Sequence, residues 1–151
     1  MQKILVIHGP NLNLLGKRKT DIYGKFSLSA INKSIEDFAE NKKINVKIVQ
    51  FNNEGDIINA IHNANGYSGI IINPGAYTHY SLAIRDAIEG VDTPVVEVHL
   101  SNIYGRETFR SKSVIASVCV GQVTGFGWRS YLMAIEYFYE KEEVSEIQST
   151  R

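Results

Sequence analysis

Short runs rich in apolar residues alternate along this chain with segments of helical periodicity. Strands that alternate with helices favour βαβ units with right-handed crossovers and a parallel sheet. Five strands in a chain of 151 residues predict a flavodoxin-like doubly wound sheet of order 2-1-3-4-5, in a three-layer α/β/α arrangement. The predicted strands are Ile4–Ile7, Val46–Phe51, Gly69–Asn73, Pro94–Leu100 and Val114–Val123.

Apolar residues recur at helical spacing between these runs. The predicted helices cover about 28–38, 54–66, 82–90 and 131–139. Ser27 or Ser29 can cap the first helix and Asn53 can cap the second. The polar tail from about Glu140 is expected to fray. With no repeat or linker, residues 1–151 are expected to form one domain.

Composition narrows the class of protein. Sixteen basic and sixteen acidic residues cancel, so no overall field favours nucleic acid or a membrane surface as partner. The one cysteine, Cys119, excludes an intrachain disulfide and is expected to be a small apolar residue in the fifth strand. The first apolar run is too short for a signal peptide or membrane span, so we expect a cytoplasmic protein.

Polar clusters follow three of the predicted strands. Gly9-Pro10-Asn11 follows the first strand, Asn73-Pro74-Gly75 ends the third, and Glu97-Val98-His99 ends the fourth. In the predicted order these strands are neighbours, and ligands of doubly wound sheets bind beyond the carboxyl ends of the strands. The three clusters are therefore expected to converge on one rim.

Glu97 and His99 share a strand face, about 6.6 Å apart along the strand at ~3.3 Å per residue. A carboxylate that holds an imidazole fixes its tautomer, so His99 could act as an acid or a base. An isolated Glu-x-His is more often an ordinary ion pair. Because Glu97 and His99 are expected on the converging rim, the sequence favours His99 as an acid or base over an ordinary ion pair.

The segment after the fourth strand is basic. Arg106 and Arg110, spaced i, i+4, could face the same way on a helical turn and bind a carboxylate or hydroxyls, or could form a solvated basic face. The backbone amides of Leu100 and Ser101 could hold an anion. Asn73 and His79 could bind a polyhydroxylated ligand, although a lone histidine at a helix start is more often a cap.

The long connection after the first strand, about residues 9–26, is expected to be a lid or binding loop. It carries Asn11, Arg18 and Tyr23. A nearby guanidinium favours the phenolate form of a tyrosine, so Tyr23 could serve as a base, with a second cation such as Arg106 assisting. The alternative is a tyrosine that packs under the loop beside a solvated arginine.

No motif for a metal or a nucleotide cofactor is present. The histidines are scattered without metal-ligand spacing, and glycine-rich phosphate-binding patterns are missing. The sequence therefore predicts no metal and no cofactor.

Five motifs in order resemble the type II 3-dehydroquinate dehydratase family, and the resemblance covers nearly the whole chain. They are 9–18 with Tyr23-Gly24, 73–79, 97–102, 106–110 and 121–127. The resemblance implies dehydration of 3-dehydroquinate to 3-dehydroshikimate in the shikimate pathway.

The resemblance also implies roles for residues. Tyr23 would accept the proton next to the ketone, and Arg18 would hold it as phenolate. Asn11 would position a water that stabilises the enolate. His99, supported by Glu97, would protonate the departing hydroxyl.

The remaining implied contacts concern substrate binding and assembly. The Leu100 and Ser101 amides would bind the substrate carboxylate, and Asp86 would reach an adjoining subunit's site. Family members use no cofactor and form dodecamers, each a tetramer of trimers. The remaining contacts to substrate hydroxyls and carboxylate would come from Asn73, His79, Arg106 and Arg110.

Two other functions stay open. One is a dehydratase that forms a Schiff base on a lysine, although no lysine follows a predicted strand at the rim. The other is a flavodoxin-like small-acid-binding or regulatory module without turnover. Lys19-Thr20-Asp21 departs from the family pattern, in which a proline often follows the loop arginine, so the stiffness of the lid could differ.

Overall fold

Five parallel strands in the order β2-β1-β3-β4-β5 form the centre of this computed structural model, as the sequence predicts. The structure describes residues 1–17, 20–23 and 25–149, without the side chains of Thr20, Tyr23, Glu142 and Glu146. The strands are β1 (Lys3–His8), β2 (Asn45–Gln50), β3 (Gly69–Asn73), β4 (Val95–His99) and β5 (Gly121–Thr124).

Helices cover both faces of the sheet. They are α1 (Thr20–Tyr23), α2 (Leu28–Asn41), α3 (Glu54–His62), α4 (Leu82–Glu89) and α5 (Arg129–Ser149). Alternate residues of β1 enter separate cores: Ile4 and Val6 pack with α2 and α5, whereas Leu5 and Ile7 pack with α3 and α4. A strand covered on both faces is apolar throughout, which explains the continuous run that the sequence shows.

The predicted helix caps are confirmed. The Ser27 hydroxyl accepts a hydrogen bond from the Ala30 amide at 3.2 Å and caps α2. Asn53 Oδ1 accepts from the Gly55 and Asp56 amides at 2.7 and 3.2 Å and caps α3. Each cap satisfies amides that the first helical turn leaves without a partner.

The chain before β5 differs from the prediction. Val114–Val123 was predicted as one strand, but β5 begins only at Gly121, and Ala116–Val118 is a 3-10 turn. Cys119 therefore lies just before β5 and not within it. It still packs against the core between the sheet and α3 and α4, and burial, together with the charge of Glu97, raises the pKa of its thiol to about 12.

Helix α5 also differs from the prediction, because the polar residues from Glu140 onward continue the helix to Ser149. Tyr131, Ile135 and Phe138 form its buried stripe, as predicted. Among the described residues, no helix is both long and apolar enough to cross a membrane.

Candidate active site

A cavity of about 130 Å³ opens at the carboxyl ends of β1, β3 and β4, where the three polar clusters were expected to meet. Leu12, Leu15 and Ile103 form its apolar wall. Eight residues that the sequence singled out also line it: Asn11, Asn73, His79, His99, Leu100, Ser101, Arg106 and Arg110. The convergence of the three clusters on one rim is therefore confirmed.

Two glycines allow the turns after β1 and β3 to touch. The Gly9 amide donates to the Asn73 carbonyl at 2.7 Å, and a Cβ on Gly9 would lie 2.6 Å from the backbone of Pro74. Gly75 adopts a φ of 57°, in the left-handed region that glycine tolerates. The close approach of the two turns brings Asn11 and Asn73 to the same cavity.

Glu97 and His99 form the pair that the sequence predicts. His99 Nε2 hydrogen-bonds Glu97 Oε2. His99 lines the cavity, whereas Glu97 is fully buried behind it. Because a carboxylate can only accept, Nε2 carries a proton and Nδ1 is the second ring nitrogen that could exchange one with a ligand.

Three further side chains hold the Glu97 carboxylate. Oε2 accepts from Thr78 Oγ1 at 2.7 Å and Gln122 Nε2 at 3.0 Å, and Oε1 accepts from Ser113 Oγ at 2.8 Å. Burial alone raises the pKa of Glu97, but its hydrogen bonds and the charge of His99 outweigh burial and lower that pKa below its ordinary value. The carboxylate is therefore kept ionised beside the imidazole.

Arg106 and Arg110 both line the cavity, but they do not share one helical turn as the spacing suggested. Arg106 follows a 3-10 turn over Ile103–Gly105 in extended backbone, and Arg110 ends a second turn over Thr108–Arg110. The Glu107 carboxylate lies 3.8 Å from Arg106 Nε and 3.3 Å from Arg110 Nε. Two guanidinium groups on one wall suit an anionic ligand.

The backbone carbonyls after β4 bond to the segment that follows β5. The His99 carbonyl accepts from the Gly125 amide at 3.3 Å, and the Leu100 carbonyl accepts from the Gly127 amide at 2.9 Å. In a trans peptide the N–H points opposite to the carbonyl. The amides of Leu100 and Ser101 therefore point away from Gly125 and Gly127.

Asn11, Asn73 and His79 supply polar groups to the same cavity. Asn11 has a φ of 68°, and its amide donates to Asn52 Oδ1 at 3.1 Å. Asn73 Oδ1 accepts from the Gly75 amide at 3.2 Å. His79 Nδ1 lies 2.7 Å from the Lys112 carbonyl and must carry a proton there, since a carbonyl only accepts.

One predicted residue that the structure describes lies away from these groups. Asp86 is exposed on α4 and does not line the cavity. Arg18 and the side chain of Tyr23 lie outside the described residues.

Sequence reasoning missed the residues that support the site from behind. Thr78, Ser113 and Gln122, which hold Glu97, come from three different segments and carry no spacing that points to this carboxylate. His8 is another residue that no sequence motif singled out, and its ring bonds the Tyr131 hydroxyl. The alternation of β1 was the one available signal, because it places His8 on the same face as Ile4 and Val6.

The sheet and its cavity define a class of protein: a flavodoxin-like α/β fold with a polar cavity at the topological switch point. The family model described as "Dehydroquinase class II" matches residues 2–139. The chain belongs to this family.

Individual relatives agree. A protein of Halothermothrix orenii named 3-dehydroquinate dehydratase is 61% identical over 137 residues, covering 90% of this chain and 93% of that protein. The type II dehydroquinase structure of Butyrivibrio crossotus is 49% identical with a TM-score of 0.89, covering 91% of this chain and 97% of that one. The type II dehydroquinase of Propionibacterium acnes is 33% identical with a TM-score of 0.90, covering 93% of this chain and 97% of that one.

Proposed function

We propose that this chain is a hydro-lyase that dehydrates 3-dehydroquinate to 3-dehydroshikimate in the shikimate pathway. The observation that carries the proposal is the Glu97–His99 pair at a cavity with two guanidinium groups, in a chain of the class II dehydroquinase family. The pair supplies an acid for an elimination, and the guanidinium groups suit a substrate that carries a carboxylate.

The proposed reaction has two proton transfers. The Tyr23 phenolate, held in that form by Arg18, takes a proton from the carbon next to the ketone and leaves an enolate. Asn11 positions a water that stabilises this enolate. The enolate expels the hydroxyl group as His99 gives it a proton through Nδ1, so one water leaves and a conjugated enone remains.

Binding is assigned to the walls of the cavity. The backbone amides of Leu100 and Ser101 take the substrate carboxylate; both residues line the cavity, and both amides point away from Gly125 and Gly127. Asn73, His79, Arg106 and Arg110 contact its hydroxyls and carboxylate. Asp86, exposed on α4, serves the site of an adjoining subunit.

An ultraviolet assay for the enone tests the reaction. Purified protein given 3-dehydroquinate without added metal or nucleotide is expected to form product, and Tyr23→Phe is expected to abolish turnover while substrate still binds. No enone at high protein concentration would favour a binding module without turnover. A Tyr23→Phe variant that kept near wild-type turnover would remove Tyr23 as the base.

Borohydride separates this route from a Schiff-base route. We expect no covalent adduct when the protein is treated with borohydride in the presence of substrate. A substrate trapped on a lysine, detected by mass spectrometry, would replace the tyrosine mechanism with the lysine one.

The same proposal covers the organisation of the protein. Residues 1–151 form a single catalytic domain in which the segment of about 9–26 acts as a lid, and the enzyme is cytoplasmic. Twelve chains assemble as a tetramer of trimers. Light scattering after size exclusion is expected to give a mass twelve times that of the chain, and a monomer mass would refute the assembly.

A further inference from the structure

A second histidine, outside the proposed reaction, lies at the end of a strand next to the cavity. His8 is the last residue of β1, and its side chain is fully buried. His8 Nδ1 lies 2.8 Å from the Tyr131 hydroxyl of α5, and His8 Nε2 lies 2.8 Å from Asn32 Oδ1 of α2. The Tyr131 hydroxyl in turn contacts Asn73 Nδ2 at 3.1 Å. These bonds form a continuous chain from α2 to a residue of the cavity wall.

The direction of each bond in this chain follows from one backbone amide. Gly75 N–H can only donate, so the Asn73 atom that faces it is Oδ1, and Asn73 Nδ2 faces Tyr131. Nδ2 donates to the Tyr131 oxygen, which leaves the Tyr131 proton to be donated to His8 Nδ1. His8 must then be neutral, with its proton on Nε2, and that proton goes to Asn32 Oδ1.

The other tautomer of His8 would leave the hydroxyl proton of Tyr131 without a hydrogen-bond acceptor. A proton on His8 Nδ1 would give the Tyr131 oxygen two donors and leave the Tyr131 proton facing the Asn73 amide nitrogen, which cannot accept. Tyr131 is fully buried, so a lost hydrogen bond there is costly. Burial also lowers the pKa of His8 to about 4, although the Asn32 hydrogen bond acts in the opposite direction.

We infer that Asn32, His8 and Tyr131 form a largely buried relay that, together with the Gly75 amide, fixes the amide orientation of Asn73 at the cavity wall. The relay consists of positioning residues, because none of the three lines the cavity. It leaves Asn73 with one N–H and one lone pair to offer, a set that matches a hydroxyl group, which both donates and accepts. For its role in catalysis, the inference rests on the proposed function and on the assignment of Asn73 to substrate binding.

The tautomer of His8 tests the relay without any assay of activity. Magic-angle-spinning NMR of protein labelled with ¹³C,¹⁵N-histidine is not limited by assembly size, and the chain has four histidines. We expect a neutral His8 ring at pH 7 whose protonated nitrogen is bonded to Cδ2, with the signal assigned by its loss in His8→Gln. A protonated nitrogen bonded to Cγ, or a ring with both nitrogens protonated, would overturn the inference.

Variant kinetics test what the relay does. Tyr131→Phe and His8→Leu each interrupt the hydrogen-bonded relay. Each is expected to lower kcat/KM about tenfold, which corresponds to the net free energy of one hydrogen bond. The loss should lie mainly in KM, since Asn73 contacts bound substrate and transition state alike. Ile135→Val, one turn further along α5 in the same core, is the matched packing control and should change kcat/KM less than twofold.

A conservative variant separates orientation from packing. In His8→Gln the Gln oxygen can accept from Tyr131 and its amide can donate to Asn32, so kcat/KM should recover to within about threefold of wild type. Equal losses in His8→Gln and His8→Leu, or a Tyr131→Phe variant with wild-type kcat/KM, would refute the relay. If wild-type protein were inactive, the proposed function would fail while the NMR result still decided the relay.

Discussion

His8 and His99 occupy matching places in the fold and differ in their chemistry. Each is the last residue of a parallel strand, β1 or β4, and each is buried. They lie on opposite faces of the sheet: His8 meets α2 and α5, whereas His99 meets Glu97 on the face of α3 and α4. The comparison shows that position and burial do not decide what a histidine can do.

The charge of the partner decides it. His8 is held by an amide oxygen and a phenol, so no negative charge compensates burial, and the ring stays neutral. His99 is held by a carboxylate that three other donors keep ionised, so a proton on the ring has a counter-charge beside it. The first arrangement suits a fixed hydrogen-bond direction, and the second suits proton transfer.

The largest expected difference between the two histidines is in turnover. His99→Asn keeps a donor for Glu97 but removes the acid, and we expect kcat to fall about a thousandfold, within the range for general acid catalysis. This loss should far exceed the roughly tenfold effect on kcat/KM of His8→Leu. His62→Gln, on the exposed face of α3, is the control and should leave kcat unchanged. If His8→Leu lowered kcat as much as His99→Asn, the two histidines would not differ in their roles.

Acid should destabilise the fold through His8 before it does so through Glu97. The His8 pKa is about 4 in the fold and 6.5 in the unfolded chain, so the unfolded state binds the proton first as pH falls. The unfolding free energy is therefore undiminished by His8 above pH 6.5. It falls by about 3 kcal/mol as the pH drops from 6.5 to 4, because His8 takes up its proton more readily in the unfolded chain. Glu97, whose pKa is lowered from 4.5, loses its contribution only below that pH.

Urea unfolding at several pH values and one protein concentration measures the pH ranges in which His8 and Glu97 lower the unfolding free energy. His8→Gln should remove the decline between pH 6.5 and 4.5, because Gln does not titrate. His62→Gln should retain it. A wild-type protein whose unfolding free energy stayed constant across that range would contradict the neutral state of His8.

A single substitution beside His8 should give it a charged partner like that of His99. Asn32→Asp places a carboxylate where His8 Nε2 now meets an amide oxygen. The new charge favours the imidazolium and should raise the titration midpoint of His8 by about one to three pH units, followed by histidine NMR. Asp37→Asn, which removes a carboxylate from the exposed side of the same helix, should leave that midpoint where it is. An unchanged midpoint in Asn32→Asp would show that burial alone holds His8 neutral.

The smallest effect concerns the support of Glu97. Thr78→Val keeps the shape of the side chain and removes one donor, which should raise the pKa of Glu97, lower kcat several-fold and cost about 1–2 kcal/mol of stability. Thr93→Val removes a hydroxyl that bonds the Ala64 carbonyl far from the cavity. It should cost stability without a change in kcat, and a similar kcat loss there would mean that the Thr78 effect is nonspecific.

Local patterns in the sequence were enough for the sheet and the rim. Apolar runs and helical spacing are short-range properties, and right-handed crossovers restrict the strand order that they allow. The two-residue alternation of β4 was enough to pair Glu97 with His99. Motif order then indicated the family, which the family model confirms over residues 2–139.

The same reasoning failed where backbone direction changes without a change in composition. The apolar residues of 114–120 resemble a strand, yet the chain there turns and presents Ser113 to Glu97 and the Val114 carbonyl to Arg85. Arg106 and Arg110 have helical spacing, but an extended residue separates their two turns. Both outcomes depend on contacts with distant parts of the chain.

The sequence by itself determined the fold class, the converging rim and the pairing of Glu97 with His99, because each follows from local periodicity and from strand neighbours. Only the tertiary structure decided which partner each buried polar group meets. Asn32 and Tyr131 are separated from His8 by 24 and 123 residues, and their helices must pack before either side chain can reach it. A hydrogen bond between distant segments has no sequence period, so the neutral state of His8 and the support of Glu97 become visible only in the packed fold.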